Sequence, residues 1–326
     1  MKGTRHIEVK NKKCSFKFDL RRNITIVCGN SGTGKTTLFT MLSDYSRLGE
    51  KSGVQVTSEN FTVCLTDTDW ENQLKKTKES IVFIDEGSQF VSSSDFARAV
   101  KKSDNYFVIF TREALHELPY SVEEIYKIHT SGKIHTFVPV YKSNDAHMYT
   151  GGKETPYDTL ITEDSGSGFA FYEEYLKNSA VKCVSAKTNS GVFDLLRKRV
   201  NSRVLVVADG AAFGSEMNRV MELGKRFPEE IGLCLPESFE WLILKSGLID
   251  KMNPEVPRIL ASVPDYVESK EYFSWENYFE KLLADSTHNS PEKADYNKSR
   301  LNRFYKIESN QEKIVSEIEQ PVKNHI

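Results

Sequence analysis

Paired cysteines are missing from this chain. Its five cysteines (Cys14, Cys28, Cys64, Cys183 and Cys234) are scattered, and none forms a C-x-x-C pair. This spacing argues against a zinc site or a disulfide framework and leaves reduced thiols as the simplest reading. The histidines are isolated too, with none at metal-ligand spacing. A net charge of −2 supplies no global basic field for nucleic acid. A local basic groove is compatible with that sum, so DNA stays open as a partner. The opening MKGTRHIEVKNKK has no apolar signal region, and no apolar run approaches the roughly 20 residues that cross a bilayer. The expectation is a cytoplasmic protein with no membrane partner. Internal repeats and low-complexity tracts are absent as well.

What is present is an ordinary globular composition, 39% hydrophobic and 28% charged over 326 residues. That length suits about two domains. RHIEV, CSFKFDL and NITIVCG read as three strands, the third ending at Gly29. SIVFIDE and NYFVIFTRE are further apolar strands, and TTLFTMLSDYSRL is an apolar-periodic helix. Alternating strands and helices predict an α/β layer with a mostly parallel sheet over residues 1–145. Residues 142–156, polar with Gly-Gly and a proline, read as a linker. Four β-α units follow and predict a second α/β domain over 157–265. Residues 266–326 read as a helical, charged C-terminal segment, frayed from Gln320. Its aromatic helix EYFSWENYFEKLL reads as core or oligomer contact before a base-stacking surface.

The strongest motif is G-x-x-x-x-G-K-S/T, complete at Gly29, Gly34, Lys35 and Thr36. Such a loop wraps phosphates in backbone N–H groups, which side chains would block, and the helix that follows adds the partial positive charge of its N-terminus. The expected nucleotide-binding set is Gly29, Asn30, Ser31, Gly32, Thr33, Gly34, Lys35, Thr36 and Thr37. Lys35 would reach the β- and γ-phosphates and Thr36 would ligate Mg²⁺. In SIVFIDEG, four apolar residues place Asp85 at the end of a buried strand, where ligands of open α/β sheets bind. Asp85 would hold Mg²⁺ and Glu86 would act as general base. Thr111 and Arg112 end another apolar strand. If that strand lies between the other two, Thr111 could touch the γ-phosphate or the water. Arg112 could stabilise transferred charge in its own site or across a subunit boundary, or simply form a surface ion pair.

These segments resemble the P-loop ATPases that carry an acidic catalytic residue beside the Walker B aspartate, and KFDLRRNITIVCGNSGTGKTTL looks like the start of ABC-type and AAA-type members. No LSGGQ-like signature precedes SIVFIDE, so the resemblance implies a minimal nucleotide core. With no N-K-x-D-like loop, ATP is the default nucleotide.

In the second domain the order of features resembles a Toprim domain. There a first strand ends in glutamate and a later one in an Asp-x-Asp pair. TLITEDSGSG offers Glu163, RVLVVADGAAFG offers Asp209, and IGLCLPESFEWLIL offers Glu237 and Glu240. The resemblance implies Mg²⁺ held by Glu163 and Asp209 for phosphodiester cleavage. The chain departs from the pattern at Ala211, in place of the second aspartate, and at Glu163-Asp164, in place of Glu-Gly. Two readings stay open, a Toprim-like effector, active or silent, and an interaction domain with acids at its strand ends. SGSG at 165–168 could alternatively form an anion-binding nest. An ATPase joined to such a domain resembles OLD-family, mobile-element and phage-defence proteins. The implied function is ATP hydrolysis that regulates the second domain, with a homo-oligomer or protein partner. The alternatives are a nucleotide-dependent assembly protein and, least favoured, a kinase-like transferase.

Overall fold

The computed structural model describes residues 1–141, 157–199, 202–227 and 230–318. The linker assigned to 142–156 and the terminus from Gln320 lie outside them. Contacts divide the chain into two units: Met1–Lys142 with Val263–Ser274, and Ser143–Ser262 with Trp275–Ile326.

The first unit contains β1 (Arg5–Lys10), β2 (Ser15–Leu20), β3 (Ile24–Cys28), α1 (Lys35–Leu48), β4 (Gln55–Thr57), β5 (Thr62–Leu65), α2 (Trp70–Lys76), β6 (Ile81–Ile84), α3 (Ser94–Lys101), β7 (Tyr106–Phe110), β8 (Ile125–Ser131) and β9 (Ile134–Pro139). They form one nine-stranded sheet in the order β4-β1-β2-β9-β8-β3-β7-β6-β5. The run β8-β3-β7-β6-β5 is parallel. The other edge is mixed: β1 pairs antiparallel with β2 and β4, and β8 with β9, while β2 and β9 are parallel. The mostly parallel sheet expected for this region is therefore a mixed one. The physical reason is visible in β2, whose alternating burial marks a strand with one wet face, unlike the wholly buried β6 and β7. Period-2 alternation splits β7 between two cores. Val108 and Phe110 pack with Leu38 and Met41 of α1, and Phe107 and Ile109 with Phe96 and Val100 of α3. The returning stretch Val263–Ser274 is tied down by backbone bonds from Gly3 to Pro264 (2.6 Å) and from Ser269 to Met1 (2.9 Å).

The second unit contains β10 (Thr159–Thr162), α4 (Ser167–Tyr175), β11 (Lys182–Ser185), α5 (Asn189–Lys198), β12 (Val204–Val207), α6 (Met217–Arg226), β13 (Ile231–Cys234), α7 (Phe239–Lys245), α8 (Val256–Ala261), α9 (Trp275–Thr287) and α10 (Glu308–Ser316). Its four strands are all parallel, in the order β11-β10-β12-β13. The chain leaves β10 to one side for β11 and returns on the other side as β12. The β10/β12 junction is thus the point where an open α/β sheet reverses its winding and exposes a crevice. The apolar residues of α7 are buried, and the helix packs against α8, α9 and α10. The aromatic segment of α9 contributes Phe279 and Leu283 to the interior, the first of the two roles, core or oligomer contact, expected for it.

Candidate functional sites at two sheet edges

In the first unit, β3 ends where the glycine loop begins. Gly32 and Gly34 hold φ of 82° and 103°, which side-chain-bearing residues rarely adopt, and Gly34 precedes α1 directly. β7 lies between β3 and β6, with Val27 level with Phe110 and Ile84 level with Ile109. The loop, Thr111-Arg112 and Asp85-Glu86 therefore leave the sheet along one edge. The condition set for Thr111, a strand lying between the other two, is met.

A cavity of about 320 Å³ opens at this edge. Its walls include Asn30 through Thr37, together with Glu86, Arg112, Thr130 and His135. The Lys35 side chain is 3% exposed. Its ammonium donates to the Gly29 carbonyl and to the Asn30 carbonyl (3.0 Å), and lies 3.4 Å from Glu86 Oε2. The other Glu86 oxygen pairs with Arg112 Nε, and Arg112 also donates to Ser31 Oγ (2.8 Å). Arg112 therefore points into the loop of its own chain. Lys35, Glu86 and Arg112, all assigned catalytic roles from sequence, are brought together. Asp85 and Thr111 are not among the cavity walls. Asp85 Oδ1 accepts the Glu86 amide (2.8 Å), and Thr111 Oγ1 accepts the Glu113 amide (3.0 Å). Burial pushes the nearby Cys64 thiol up to about 12, with the Asp85 charge adding to the shift.

In the second unit, Glu163 follows β10 and Asp209 follows β12, so the topology puts both at the crevice. They line a cavity of only about 20 Å³ with Asp164, Glu240 and Lys298. Burial raises the Glu163 carboxyl well above its ordinary value, and the charge of Glu276 adds to it. Burial raises Asp209 in the same way, reinforced by Glu163. Glu240 and Asp164 are also raised by burial. The positive charge among these acids is Lys298, whose ammonium meets Glu276 at 2.5 Å and Glu280 at 3.5 Å. Burial alone would lower the lysine pKa, but Glu276 and Glu240 outweigh it and hold the ammonium protonated. Tyr296 closes the pocket further, donating to Glu240 Oε1 at 2.5 Å, with Ser167 Oγ 2.5 Å from its hydroxyl. One oxygen each of Glu163 and Glu240 is buried without a hydrogen-bond partner.

Two expectations change. The SGSG loop is not open to an outside anion, because Asp164 accepts the Gly166 amide (3.2 Å) and the Phe169 amide, and the Ser167 amide goes to the Lys298 carbonyl (2.9 Å). The extra acid at 164, which departs from a Glu-Gly step, is thus a cap for α4. Of the two later candidates, Glu240 lines the pocket and Glu237 does not. Sequence reading missed Glu276, Tyr296 and Lys298, which arrive from the C-terminal segment and carry no motif. It also missed Thr130 and His135, which the β8–β9 hairpin brings to the loop. Among the described residues, no group of three or more His, Cys, Asp or Glu is arranged to hold a metal ion. The Lys298 ammonium thus lines the same pocket as Glu163 and Asp209, the acids expected to hold Mg²⁺, while its ion pairs are made with Glu276 and Glu280. An open groove nearby is lined by Arg300, Arg303 and Lys306 together with Asp295. No helix among the described residues is long and apolar enough to cross a membrane. No protein-family model matches the chain, and no curated protein matches it in sequence.

Proposed function

We propose that the first unit binds a nucleoside triphosphate, ATP by default, and hydrolyses it. The observation that carries this reading is the meeting of Lys35, Glu86 and Arg112 at the mouth of the glycine-loop cavity. Loop amides and Lys35 would hold the phosphates, with Thr36 and Asp85 as the residues to hold Mg²⁺. Glu86 is engaged by both Lys35 and Arg112. Phosphate oxygens compete for the same two cations, so nucleotide entry would release Glu86 to orient water, and Arg112 would turn to the charge developing on the transferred phosphoryl group. The reading belongs with the P-loop ATPases that the sequence resembles. Equilibrium binding of Mg-ATP tests it: Lys35→Ala is expected to weaken binding about a hundredfold or more, since it removes a buried charge contact. Unchanged affinity in that variant would refute the site.

The second unit we read as the element that nucleotide state controls, Toprim-like in the order of its features but without phosphodiester cleavage. Lys298 among Glu163, Asp209, Glu240 and Glu276 favours this silent form over a metal-dependent nuclease. Such a unit would bind a protein partner, or DNA along the Arg300, Arg303 and Lys306 groove, in a defence or mobile-element setting like that of the OLD-type proteins. Nicking of plasmid DNA with Mg²⁺ or Mn²⁺ that disappears in Asp209→Ala would overturn the silent reading.

A further inference from the structure

The β8–β9 hairpin gives the loop cavity a wall that phosphate chemistry does not need. β3, which feeds the loop, has β7 on one side and β8 on the other. Glu86 and Arg112 come from the β6–β7 side, while Thr130 and His135 come from the β8 side. If the terminal phosphate faces Glu86, the side of the cavity left for the nucleoside is the one the hairpin walls. There His135 is fixed in place. Its ring stacks on Phe16, with centroids 4.3 Å apart and planes 14° from parallel, and Nδ1 is 2.8 Å from Thr130 Oγ1. Gly34 packs against the edges of both rings: a Cβ there would come within 3.4 Å of Phe16 and 3.7 Å of His135 Nδ1. With one face covered and Nδ1 engaged, what His135 can offer the cavity is its opposite ring face and its Nε2 edge. A flat, backed, pre-oriented ring beside a cavity of about 320 Å³ suits an aromatic base, and the cavity is within the usual range of about 300–1,000 Å³ for small-molecule sites.

We propose that His135, backed by Phe16 and held by Thr130, is the shelf on which the nucleobase stacks, so that the site selects nucleoside triphosphates over bare polyphosphate. This rests on the triphosphate reading of the loop. The test is calorimetric titration of the full chain with Mg-ATP and with Mg-tripolyphosphate, which has the phosphates and no base. His135→Ala is expected to weaken ATP binding about tenfold, the scale of one lost base–aromatic stack, and to leave tripolyphosphate binding unchanged. His135→Phe, which restores a flat ring, should recover most of the ATP affinity, and thermal melting checks that both variants fold. Equal effects of His135→Ala on the two ligands, or no effect on either, overturn the shelf while leaving the loop reading intact. If the unmodified chain binds neither ligand, the nucleotide reading itself fails and the shelf falls with it.

Discussion

At the strand ends of the first unit, Glu86 faces a cavity of about 320 Å³, whereas at the strand ends of the second, Glu163 and Asp209 line one of about 20 Å³. Both edges put acids where open α/β sheets bind ligands. The difference lies in what sits opposite the acid. Glu86 meets Lys35 and Arg112, whose interactions a phosphate can replace, and its cavity has room for one. The acids of the second unit share their pocket with Lys298, whose backbone carbonyl accepts the Ser167 amide. A strand-end carboxylate is thus a catalytic candidate in one unit and part of a closed, buried acidic cluster with one lysine in the other. The room around it decides which.

The sharpest way to break this contrast is Glu86→Gln, which keeps the side-chain shape and removes the proposed base. ATP turnover should fall by about 10²–10⁴-fold with affinity nearly unchanged. A turnover within twofold of the unmodified chain would remove Glu86 from the mechanism. On the other edge, Lys298→Met leaves Glu276 and Glu280 without their cation. Losing one partner of a buried ion pair costs about 3–5 kcal/mol, and the 33% exposure of the Lys298 side chain reduces that to roughly 2 kcal/mol. Differential scanning calorimetry should show one transition shifted down while ATP binding is retained. If Lys298→Met instead leaves every transition in place, the ammonium is not holding the cluster together.

The smallest effect concerns pH. The folded-state pKa values of Glu163 and Asp209 are raised above their unfolded values, first by burial. Their contribution to stability is therefore fully present below the ordinary carboxylate range and is lost as pH rises toward the folded values. Asp164, Glu240, Glu276 and Lys298 share the pocket or its field, so the trend is a property of the cluster. Glu163→Gln should gain about 1 kcal/mol over the unmodified chain at pH 8 and little at pH 5, read by denaturant midpoints. A gain that is larger at pH 5 would reverse the sign and contradict the assignment.

Much of the glycine-loop edge was legible in the sequence because its parts are local. Gly34 and Lys35 are adjacent, and an apolar run ending in Asp85-Glu86 fixes both the strand and its terminus. The same logic located Glu163 and Asp209. It failed where a residue's meaning depends on a distant partner. Asp164 reads as one more acid until its oxygens are seen capping α4, and SGSG reads as a vacant nest until they fill it. Ala211, which replaces a second strand-end aspartate, is buried and donates its amide to the Glu237 carbonyl at 3.1 Å.

By itself the sequence determined the β-α alternation, the glycine loop with its lysine, and the acids that end the apolar strands, because backbone periodicity and turn chemistry act over a few residues. Only the tertiary structure decided that β7 lies between β3 and β6, that Arg112 turns into its own loop, that His135 backs onto Phe16, and that Lys298 sits among the acids of the second unit. Those outcomes are set by strand order and by segments up to 135 residues apart, as for Glu163 and Lys298. No local pattern encodes a contact of that length. It forms when burial of the whole sheet forces a choice among counter-ions.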